Sequence, residues 1–456
     1  MIEVTLRQVA DWTGGTVDAE FEDVMVFGTT TDSRNAKVGQ LFIPLVGENA
    51  DGHNYITNAM MNCAATLSDR PLSDEDIPVV YVRDTLLAYG DLARHYREEL
   101  GIMVVGVTGS VGKTTTKEMI ASVMEKGYKT AKTDANFNNH IGLPQTILGI
   151  EEDCQAAILE MGMNHFGEMS YLTNIAKPNV AVITNIGVAH IEHLGSREGI
   201  LKAKMEIVEG LQPNGILLLN GDEPLLWNLR GTLPYKMVYF GMENPECDLL
   251  ARDVVPHNEG IGFHVEGLRA DFEVFVPAPG RHTVYNALAA LTVGIMAEIS
   301  PSKMQYALAN FHNTGMRQKI YEENGMTIIE DCYNAGPESM EASLGVLKEY
   351  QCTGRRIAVL GDMLELGNCS MAEHYKVGRQ VANSADLFFA YGSNAERMVT
   401  GAITGGMPAH CVYHFDSHEQ MAKMLRSRAK AGDLLLFKGS RGMRMEHVLH
   451  LFLEKE

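Results

Sequence analysis

The chain has 456 residues, which is too long for one hydrophobic core and predicts two to four domains. A content of 45% hydrophobic and 21% charged residues is typical of a soluble globular protein, and a formal net charge of −20 argues against binding to nucleic acid or anionic membranes by net electrostatics. Seven cysteines without a C-x-x-C pair indicate reduced thiols, and neither a signal-peptide pattern nor an apolar run of bilayer length is found, so a cytoplasmic location is expected.

Residues 1–98 precede the first nucleotide-binding pattern and are predicted to form a domain of their own. Within them, two polar and turn-rich segments, 29–34 and 47–53, flank an apolar segment, 41–46, in which Pro44 suggests an edge strand. Loops rich in hydroxyls, amides and arginine can bind a polar or phosphorylated ligand. The same composition is also that of ordinary solvated loops, which composition alone favours.

A strand, a glycine-rich turn and a helix are predicted in succession between Ile102 and Lys126. The backbone amides of such a turn and the N-terminus of the helix hold phosphate oxygens, while Lys113 reaches the terminal phosphates and Thr114 can bind Mg²⁺. The strict P-loop pattern requires a first glycine where this chain has Val107, so the turn is a shortened variant. The flanking strand and helix favour a phosphate site over an ordinary turn. The residues of this predicted phosphate loop are Gly109, Ser110, Val111, Gly112, Lys113, Thr114 and Thr115.

Strands and helices alternate through residues 99–314, which predicts a central domain built on a parallel sheet. The predicted strands are 102–107, 156–161, 179–185 and 215–219, and the predicted helices include 114–126, 167–176 and 197–210. Because ligands collect at the carboxyl ends of parallel strands, Glu160 is a candidate ligand for nucleotide-bound Mg²⁺. A strand-terminal glutamate that faces solvent is an equal alternative.

Two further segments of this region carry amide side chains. The loop 133–144 follows the first central helix and has three asparagines within four residues, Asn138 and Asn139 among them. A long helix begins near Gly280 and carries Asn286 among alanines and leucines. Asn286 is therefore either a buried packing amide or a group that reads an adenine edge.

Lys204 lies in the apolar stripe of the helix 197–210, four residues from both Ile200 and Val208. Burial disfavours the charged form of an amine, so the pKa of Lys204 is expected to be lowered. A neutral lysine can react with CO₂ to form a carbamate, which converts a cation into an anionic metal ligand. The alternative, which is the commoner arrangement, is a lysine whose stem packs on the core while its amine reaches water.

Residues 315–456 repeat the alternation of strands and helices and predict a second, Rossmann-like domain with helices on both faces of its sheet. Its predicted strands are 327–330, 357–360, 387–391 and 434–437, and each ends in a polar turn. No G-x-G-x-x-G pattern follows the first of these strands, which argues against a dinucleotide cofactor.

Three groups of residues are together far more selective than the phosphate loop alone, and with them the chain resembles the Mur ligases along nearly its whole length. They are Asp32-Ser33-Arg34 with Gly47-Glu48-Asn49 and Asp51-Gly52-His53, the asparagine-rich stretch into Ile141-Gly142-Leu143-Pro144, and Leu360-Gly361-Asp362-Met363-Leu364-Glu365-Leu366-Gly367. The last segment favours the member of the family that adds D-alanyl-D-alanine to UDP-N-acetylmuramoyl-tripeptide. The resemblance implies an α/β fold of three domains: a substrate domain (1–98), a central P-loop ATPase-like domain (99–314) and a C-terminal Rossmann-like domain (315–456).

The resemblance also implies a reaction. In this family, ATP phosphorylates the terminal carboxylate of a peptide, and an amine attacks the acyl phosphate to leave an amide, ADP and phosphate. It implies that Thr114 and Glu160 bind one Mg²⁺, and that His190 and a carbamylated Lys204 bind a second. The implied catalytic residues are Lys113, His190 and Lys204. The implied contacts to ATP beyond the phosphate loop are Asn286, Arg317 and Asp331.

Substrate contacts follow from the same resemblance. The first domain is expected to hold the uridine diphosphate, and the third domain to close on the second so that water cannot hydrolyse the acyl phosphate. D-alanyl-D-alanine is expected between the second and third domains. The implied substrate-binding residues are Ser33, Arg34, Gly47, Asn49, Asp51 and His53 in the first domain, with Asn138, Asn139 and Asp362 at the dipeptide.

Three other functions stay open at this point. Another Mur ligase would share the motifs, and folylpolyglutamate synthase would share the second and third domains but is expected to lack the first-domain clusters. A P-loop ATPase without ligase activity would explain Lys113 and Thr114, but not Lys204 or the first domain. The sequence does not distinguish diaminopimelate from lysine in the tripeptide, and it demands no more than a monomer.

Overall fold

A computed structural model describes residues 2–74, 76–313 and 315–454. Among these residues, no helix is both long and apolar enough to cross a bilayer. The chain forms three large sheets in succession, and a small two-stranded ladder accompanies the first. Thr314, at which the sequence places the end of the central domain, lies outside the described residues, as do Met1, Lys455 and Glu456.

The first sheet has five short strands in the order β2-β7-β6-β5-β4, and β1 pairs with β3 beside it. Its elements are β1 (Glu3–Thr5), α1 (Leu6–Thr13), β2 (Thr16–Val17), β3 (Met25–Phe27), β4 (Thr29–Thr30), β5 (Leu41–Phe42), α2 (Ile56–Ala59), β6 (Ala65–Ser68), β7 (Val79–Tyr81) and α3 (Thr85–Leu100). The prediction of an edge strand over 41–46 was wrong. The strand β5 ends at Phe42 and lies between β4 and β6, so Pro44 falls outside the ladder and removes no hydrogen bond from it.

The second sheet has nine strands in the order β16-β15-β14-β13-β12-β11-β8-β10-β9. The elements are β8 (Met103–Thr108), α4 (Lys113–Met124), β9 (Thr130–Lys132), α5 (Gly142–Leu148), β10 (Ala156–Glu160), α6 (Glu168–Ala176), β11 (Val180–Ile183), α7 (Ile191–Leu194), α8 (Arg197–Met205), β12 (Ile216–Asn220), α9 (Pro224–Trp227), β13 (Lys236–Gly241), β14 (Leu249–His257), β15 (Gly260–Gly267), β16 (Ala270–Val276), α10 (Arg281–Met296) and α11 (Pro301–Ala309). The predicted parallel pairing is confirmed from β9 to β14. The strands β15 and β16 add an antiparallel extension that the prediction of a parallel sheet did not include.

The third sheet has six strands in the order β17-β18-β22-β19-β20-β21, parallel except for β17. Its elements are β17 (Lys319–Glu323), β18 (Met326–Asp331), α12 (Pro337–Glu349), β19 (Arg356–Gly361), α13 (Ser370–Val381), β20 (Leu387–Tyr391), α14 (Ala395–Thr404), β21 (Val412–Phe415), α15 (His418–Arg428), β22 (Leu434–Lys438) and α16 (Met445–Leu453). Two separate apolar clusters flank this sheet, which is the arrangement predicted for a sheet with helices on both faces.

The first and second sheets share one continuous apolar core through the helix α3. Asp84 caps α3, since its side chain accepts hydrogen bonds from the backbone N–H groups of Leu86 and Leu87. Gly90 lets α3 approach α6 closely, because a Cβ there would lie 2.2 Å from the hydroxyl of Tyr171. The first domain is therefore packed against the back of the nucleotide-binding sheet.

Candidate active site

A cleft of about 620 Å³ opens between the carboxyl ends of strands in the second and third sheets. The loops after β8, β10 and β11 form one wall, and the loops after β18, β19 and β22 form the other. This is the place where ligands bind in open α/β sheets. It unites side chains that lie more than three hundred residues apart in the sequence, from Ser110 to Arg441.

The phosphate loop between β8 and α4 has the backbone that its glycines predict. Gly109 and Gly112 have φ values of 150° and 81°, which L side chains rarely adopt. A Cβ on Gly109 would lie 1.9 Å from Thr184 Oγ1, and one on Gly112 would lie 2.8 Å from Asn286 Oδ1. The loop therefore packs tightly between Thr184 and Asn286, and it places the N-terminus of α4 at the cleft.

Lys113 is the first residue of α4 and folds back over the loop. Its Nζ donates a hydrogen bond of 2.8 Å to the carbonyl of Gly109. Burial lowers the pKa of this amine, the carboxylate of Glu160 raises it, and the charge of Arg317 lowers it again. Within the described part of the chain, no carboxylate lies within hydrogen-bond distance of Lys113, and a phosphate group in the cleft would supply such an anionic partner.

Glu160 at the end of β10 is 2% exposed, which excludes the solvent-facing alternative. The Thr114 hydroxyl donates to its Oε2 at 2.8 Å, and Asn138 Nδ2 donates to its Oε1 at 2.8 Å. The sequence predicted Thr114 and Glu160 to share an ion, and the structure places their oxygens side by side. Asn138 and Asn139 both line the cleft, so the asparagine-rich loop lies next to Glu160.

Asn185, which the sequence analysis did not single out, fixes the phosphate loop. Its Oδ1 accepts hydrogen bonds of 3.0 Å from the backbone N–H groups of both Ser110 and Val111. Gly187 N–H donates to Ser110 Oγ at 2.9 Å, and the Thr184 hydroxyl donates to the Val111 carbonyl at 2.6 Å. The segment after β11 thus holds the loop in shape. The only available signal was the position of Asn185 at a strand end.

Replacing Asn185 with alanine is expected to weaken ATP binding about tenfold, because two loop amides lose the acceptor that orients them. Isothermal titration with a non-hydrolysable ATP analogue measures this dissociation constant. Asn174→Ala is the matched control, since Asn174 bonds to Ser170 of its own helix, outside the cleft. An unchanged dissociation constant in Asn185→Ala would contradict the role of Asn185.

Lys204 in α8 is 2% exposed, so the alternative of an amine that reaches water is wrong. Burial lowers the pKa of Lys204 well below its ordinary value, and the charge of Lys113 lowers it further. Lys204 does not line the cleft itself but lies behind its wall. Of its neighbours on the predicted apolar stripe, Ile200 is fully buried, whereas Val208 is half-buried and lies beyond Met205, where the helix ends.

His190 does line the cleft, at a left-handed backbone position with φ of 64°. Burial is the main cause that lowers the pKa of His190 to about 4, and the charges of Lys113 and Lys204 contribute. His190 is therefore neutral at neutral pH, and its imidazole keeps a lone pair. Because the charges of Lys113 and Lys204 act on His190, these three side chains lie in one neighbourhood.

The third domain contacts this wall directly. Glu338, near the start of α12, accepts a hydrogen bond of 2.8 Å from the backbone N–H of Val188, and burial raises its pKa. Gly187 makes room for it, since a Cβ there would lie 2.5 Å from the Glu338 carboxylate. Glu365 Oε2 lies 2.9 Å from His190 Nδ1. These contacts close the cleft, and the sequence analysis had not predicted a role for either glutamate.

The three predicted ATP contacts outside the phosphate loop all line the cleft. Asn286 is buried, and its Oδ1 accepts a hydrogen bond of 3.0 Å from the Thr116 hydroxyl. The Arg317 guanidinium lies 4.1 Å from the centre of the Tyr333 ring. Asp331 pairs with Lys438 at 2.6 Å, and the positive charge of Lys438 holds the pKa of this carboxyl below its ordinary value against the effect of burial.

Asp362 was predicted to lie at the dipeptide with Asn138 and Asn139, but only the two asparagines line the cleft. It is 2% exposed and does not line the cleft. Its Oδ2 accepts a hydrogen bond of 2.9 Å from the backbone N–H of Asn394, at the start of α14. In this arrangement Asp362 organises the loop after β20, and Asn138 and Asn139 reach the cleft without it.

The predicted substrate residues of the first domain form a separate group outside the cleft. Ser33 and Arg34 lie in one short helical turn and His53 in another, and both turns pack against α2. Asp51 accepts hydrogen bonds from the backbone and ring of His53, which lower the pKa of the Asp51 carboxyl to about 2. The loop that precedes Asp51 carries Gly47 and Asn49. The two polar segments therefore lie on one side of the first domain.

Comparison with known proteins finds two family models in the chain. The Mur ligase middle domain matches residues 107–294, and the Mur ligase, glutamate ligase domain matches residues 316–441. The UDP-N-acetylmuramoyl-tripeptide–D-alanyl-D-alanine ligase of Bacillus subtilis (strain 168) is 40% identical over 460 residues, which cover 100% of this chain and 99% of that protein.

Solved structures agree with these matches. A crystal structure of MurF from Acinetobacter baumannii superposes with a TM-score of 0.92 at 30% identity and covers 100% of both chains. The MurF ligase from Thermotoga maritima in complex with ADP superposes with a TM-score of 0.83 at 30% identity, over 93% of this chain and 96% of that one.

Proposed function

The chain belongs to the Mur ligase family, and we propose that it joins D-alanyl-D-alanine to UDP-N-acetylmuramoyl-tripeptide with consumption of ATP, a step of peptidoglycan precursor synthesis. The observation that carries this function is the match along the full length to a ligase of that activity. The cleft fits the same reaction, because one phosphate loop faces a third domain that supplies a second set of polar groups. Both substrates and ATP belong to the cytoplasm, which is where we place the reaction.

The proposed division of labour follows the three sheets. Residues 1–98 bind the UDP-sugar-peptide, residues 99–314 bind ATP, and residues 315–456 close over the reacting groups. All groups proposed for catalysis come from a single chain, so a monomer is sufficient for activity.

The reaction proceeds in two steps that balance. A carboxylate oxygen of the tripeptide attacks the γ-phosphorus of ATP, the bond from that phosphorus to the β,γ-bridging oxygen breaks, and ADP leaves. The amine of D-alanyl-D-alanine then attacks the acyl carbon through a tetrahedral intermediate. The carbon–oxygen bond to phosphate breaks, the amine loses a proton, and an amide and phosphate remain. Catalysis of such phosphoryl transfer is largely positioning and electrostatic stabilisation.

Lys113 and the phosphate loop hold the triphosphate in this proposal. The loop amides and the N-terminus of α4 face the cleft, and the half-buried side chain of Lys113 offers its amine at the cleft lining. Arg317 and Asn286 bind ATP from opposite walls. Asp331 orients the third-domain part of the site, with Lys438 as its partner.

The residues at the loop fit a first Mg²⁺. Thr114 and Glu160 present a hydroxyl and a carboxylate 2.8 Å apart, which are the hard oxygen donors that Mg²⁺ prefers. Among the described residues, no group of three or more His, Cys, Asp or Glu side chains could hold a metal. Mg²⁺ takes one or two protein oxygens and fills its other positions with phosphate and water. When bound, the ion neutralises charge on the transferring phosphoryl group.

A second Mg²⁺ fits only if Lys204 is carbamylated, because an ammonium group cannot bind a metal. The buried amine has a lowered pKa, so its neutral form is available to CO₂. The amine nitrogen bonds to the carbon of CO₂ and loses one proton, which leaves an anionic carbamate. His190, neutral and on the cleft wall, supplies the second ligand.

The dependence of ADP release on each substrate tests the proposed function. We expect ADP formation to require both the UDP-tripeptide and D-alanyl-D-alanine, since water has little access to the acyl phosphate in a closed cleft. A coupled assay of ADP with each substrate omitted in turn measures this. Glutamate with a folate acceptor serves as the control for folylpolyglutamate synthase. ADP release that is indifferent to the dipeptide would reject the assignment.

A further inference from the structure

The cleft has few cations to match with the anionic groups that the reaction brings into it. Its lining holds four lysines and arginines among the described residues: Lys113, Arg317, Lys438 and Arg441. The proposed reaction places a triphosphate, a tripeptide carboxylate and the free carboxylate of D-alanyl-D-alanine in or beside this cleft. The dipeptide carboxylate survives in the product, so its recognition requires a group that is not engaged by the transferring phosphate.

Three of the four cations have other partners. Lys113 lies on the phosphate loop, and Arg317, whose guanidinium lies 4.1 Å from the centre of the Tyr333 ring, is proposed above to bind ATP. Lys438 is 2% exposed and donates to Asp331 Oδ2 at 2.6 Å and to the Asn334 carbonyl at 3.0 Å. Arg441 is the fourth cation of the lining, and it keeps hydrogen-bond donors for a second anion beside its bond to Glu446.

Arg441 follows β22 and lies exposed on the third-domain wall of the cleft. Its Nη1 donates a hydrogen bond of 2.8 Å to Glu446 Oε1, and the Glu446 side chain is 15% exposed. That bond holds one edge of the guanidinium in place. The Nε and Nη2 donors remain, and a planar guanidinium binds a carboxylate through two parallel hydrogen bonds.

An apolar side chain lies beside this cation. Leu364 is 43% exposed, lines the cleft, and lies against the next residue of the arginine turn, because a Cβ on Gly442 would lie 3.0 Å from Leu364 Cδ1. The Leu364 N–H donates to Ser440 Oγ at 2.9 Å, which fixes the leucine to the same turn. An exposed leucine next to an arginine suits a small amino acid with a methyl side chain and a carboxylate.

We propose that Arg441 binds the terminal carboxylate of D-alanyl-D-alanine, and that Leu364 packs against the methyl group of its C-terminal residue. This inference rests on the proposed ligase function and adds the group that selects the acceptor. Arg441 is thus a specificity residue for the second substrate, and its role is separate from the binding of ATP.

The wild-type enzyme provides the first test, because D-alanyl-D-alaninamide has the same amine and methyl groups but no carboxylate. We expect kcat/KM for the dipeptide to exceed that for the amide by on the order of tenfold or more, since the site loses a charged hydrogen-bond partner with the amide. Equal values for the two acceptors in the wild-type enzyme would overturn the inference while leaving the ligase function intact. Failure of the wild-type enzyme to ligate the dipeptide at all would instead reject the proposed function.

Arg441→Ala provides the second test. It is expected to raise KM for the dipeptide on the order of tenfold, to leave KM for ATP unchanged, and to bring the ratio of dipeptide to amide close to one. Arg441→Lys should keep part of the discrimination because it keeps the charge. Lys423→Ala, which removes an exposed cation from α15 outside the cleft, is the matched control and should retain the wild-type ratio. A wild-type ratio in Arg441→Ala would overturn the inference.

Discussion

Replacing Lys113 with alanine is expected to lower the rate of ligation by about a thousandfold, an effect of roughly 4 kcal/mol on the transition state. Lys113 is the lysine of the phosphate loop, its side chain is half-buried at the cleft lining, and among the described residues no carboxylate lies within hydrogen-bond distance of its amine. Its positive charge is therefore available to the phosphoryl group that transfers. A charge positioned in advance where negative charge develops on the phosphoryl group acts mainly in the transition state, which makes its loss costly.

The folded state should tolerate this change. Lys113 makes its hydrogen bond to the carbonyl of Gly109 within its own loop, and alanine has a higher helix propensity at the start of α4. Circular dichroism and thermal melting of Lys113→Ala check that the fold is retained. Lys126→Ala is the matched control, because Lys126 follows the other end of α4, over the ring of Tyr306 and outside the cleft. Ligation within tenfold of the wild-type rate in Lys113→Ala would contradict the role of the phosphate loop.

The sequence predicted those parts of the site that local pattern determines. Glu160 was placed at a strand end by the apolar run before it, and Lys204 was placed in the core by its spacing from Ile200 and Val208. The structure has Glu160 as the last residue of β10 and leaves Lys204 2% exposed, in agreement with these two placements. The burial of Glu160 was one of two equal alternatives, and the structure selects it. Periodicity was enough for Lys204 because an amphipathic helix fixes which side of the element a residue occupies.

Groups that act through tertiary contact were missed. Asn185 is an ordinary amide in the sequence, and only the packing of β11 beside β8 brings its Oδ1 to the two loop amides. Glu338 and Glu365 reach the second domain from the third, and nothing in their local sequence states which wall they face. The antiparallel pairing of β15 and β16 was missed for a related reason. The pairing of these strands depends on the edge of the sheet that they join, which the local sequence does not state.

The predicted substrate residues of the first domain were named from resemblance and not from a local pattern. Ser33, Arg34 and His53 were predicted as substrate contacts from resemblance, and the structure places them on one side of their own sheet, outside the cleft lining. A substrate with a long UDP-sugar-peptide can join two such regions, with the nucleotide at one end and the reactive carboxylate at the other. Their role stays a prediction of the resemblance.

Replacing Lys204 with alanine is expected to abolish ligation nearly completely, by about a thousandfold or more, and added short carboxylates are expected to restore part of it. The side chain is buried at 2% exposure behind the cleft wall, and burial with the nearby charge of Lys113 lowers its pKa. A structural lysine would gain nothing from this position, since desolvation makes its charged form unfavourable. A neutral amine can instead take up CO₂ and present a carboxylate to a metal that His190 shares.

Rescue of Lys204→Ala by added carboxylates distinguishes a metal-binding role of Lys204 from a packing role. Alanine leaves a space in which formate or acetate can place a carboxylate where the carbamate would be, so the rescued rate should rise with the concentration of the added acid. Lys204→Arg should stay inactive and resist rescue, because arginine fills the space and cannot form a carbamate at neutral pH. Lys202→Ala is the matched control, since Lys202 lies on the same helix, near the ring of Phe166.

A direct measurement completes this prediction. Carbon-13 NMR of the wild-type enzyme in ¹³C-labelled bicarbonate should show a carbamate signal that Lys204→Ala lacks and Lys202→Ala keeps. The signal should weaken as pH falls, because protonation of the amine removes the form that reacts with CO₂. Full activity in Lys204→Ala without added carboxylate would mean that the lysine is only a packing residue, and His190 would then have to serve without it.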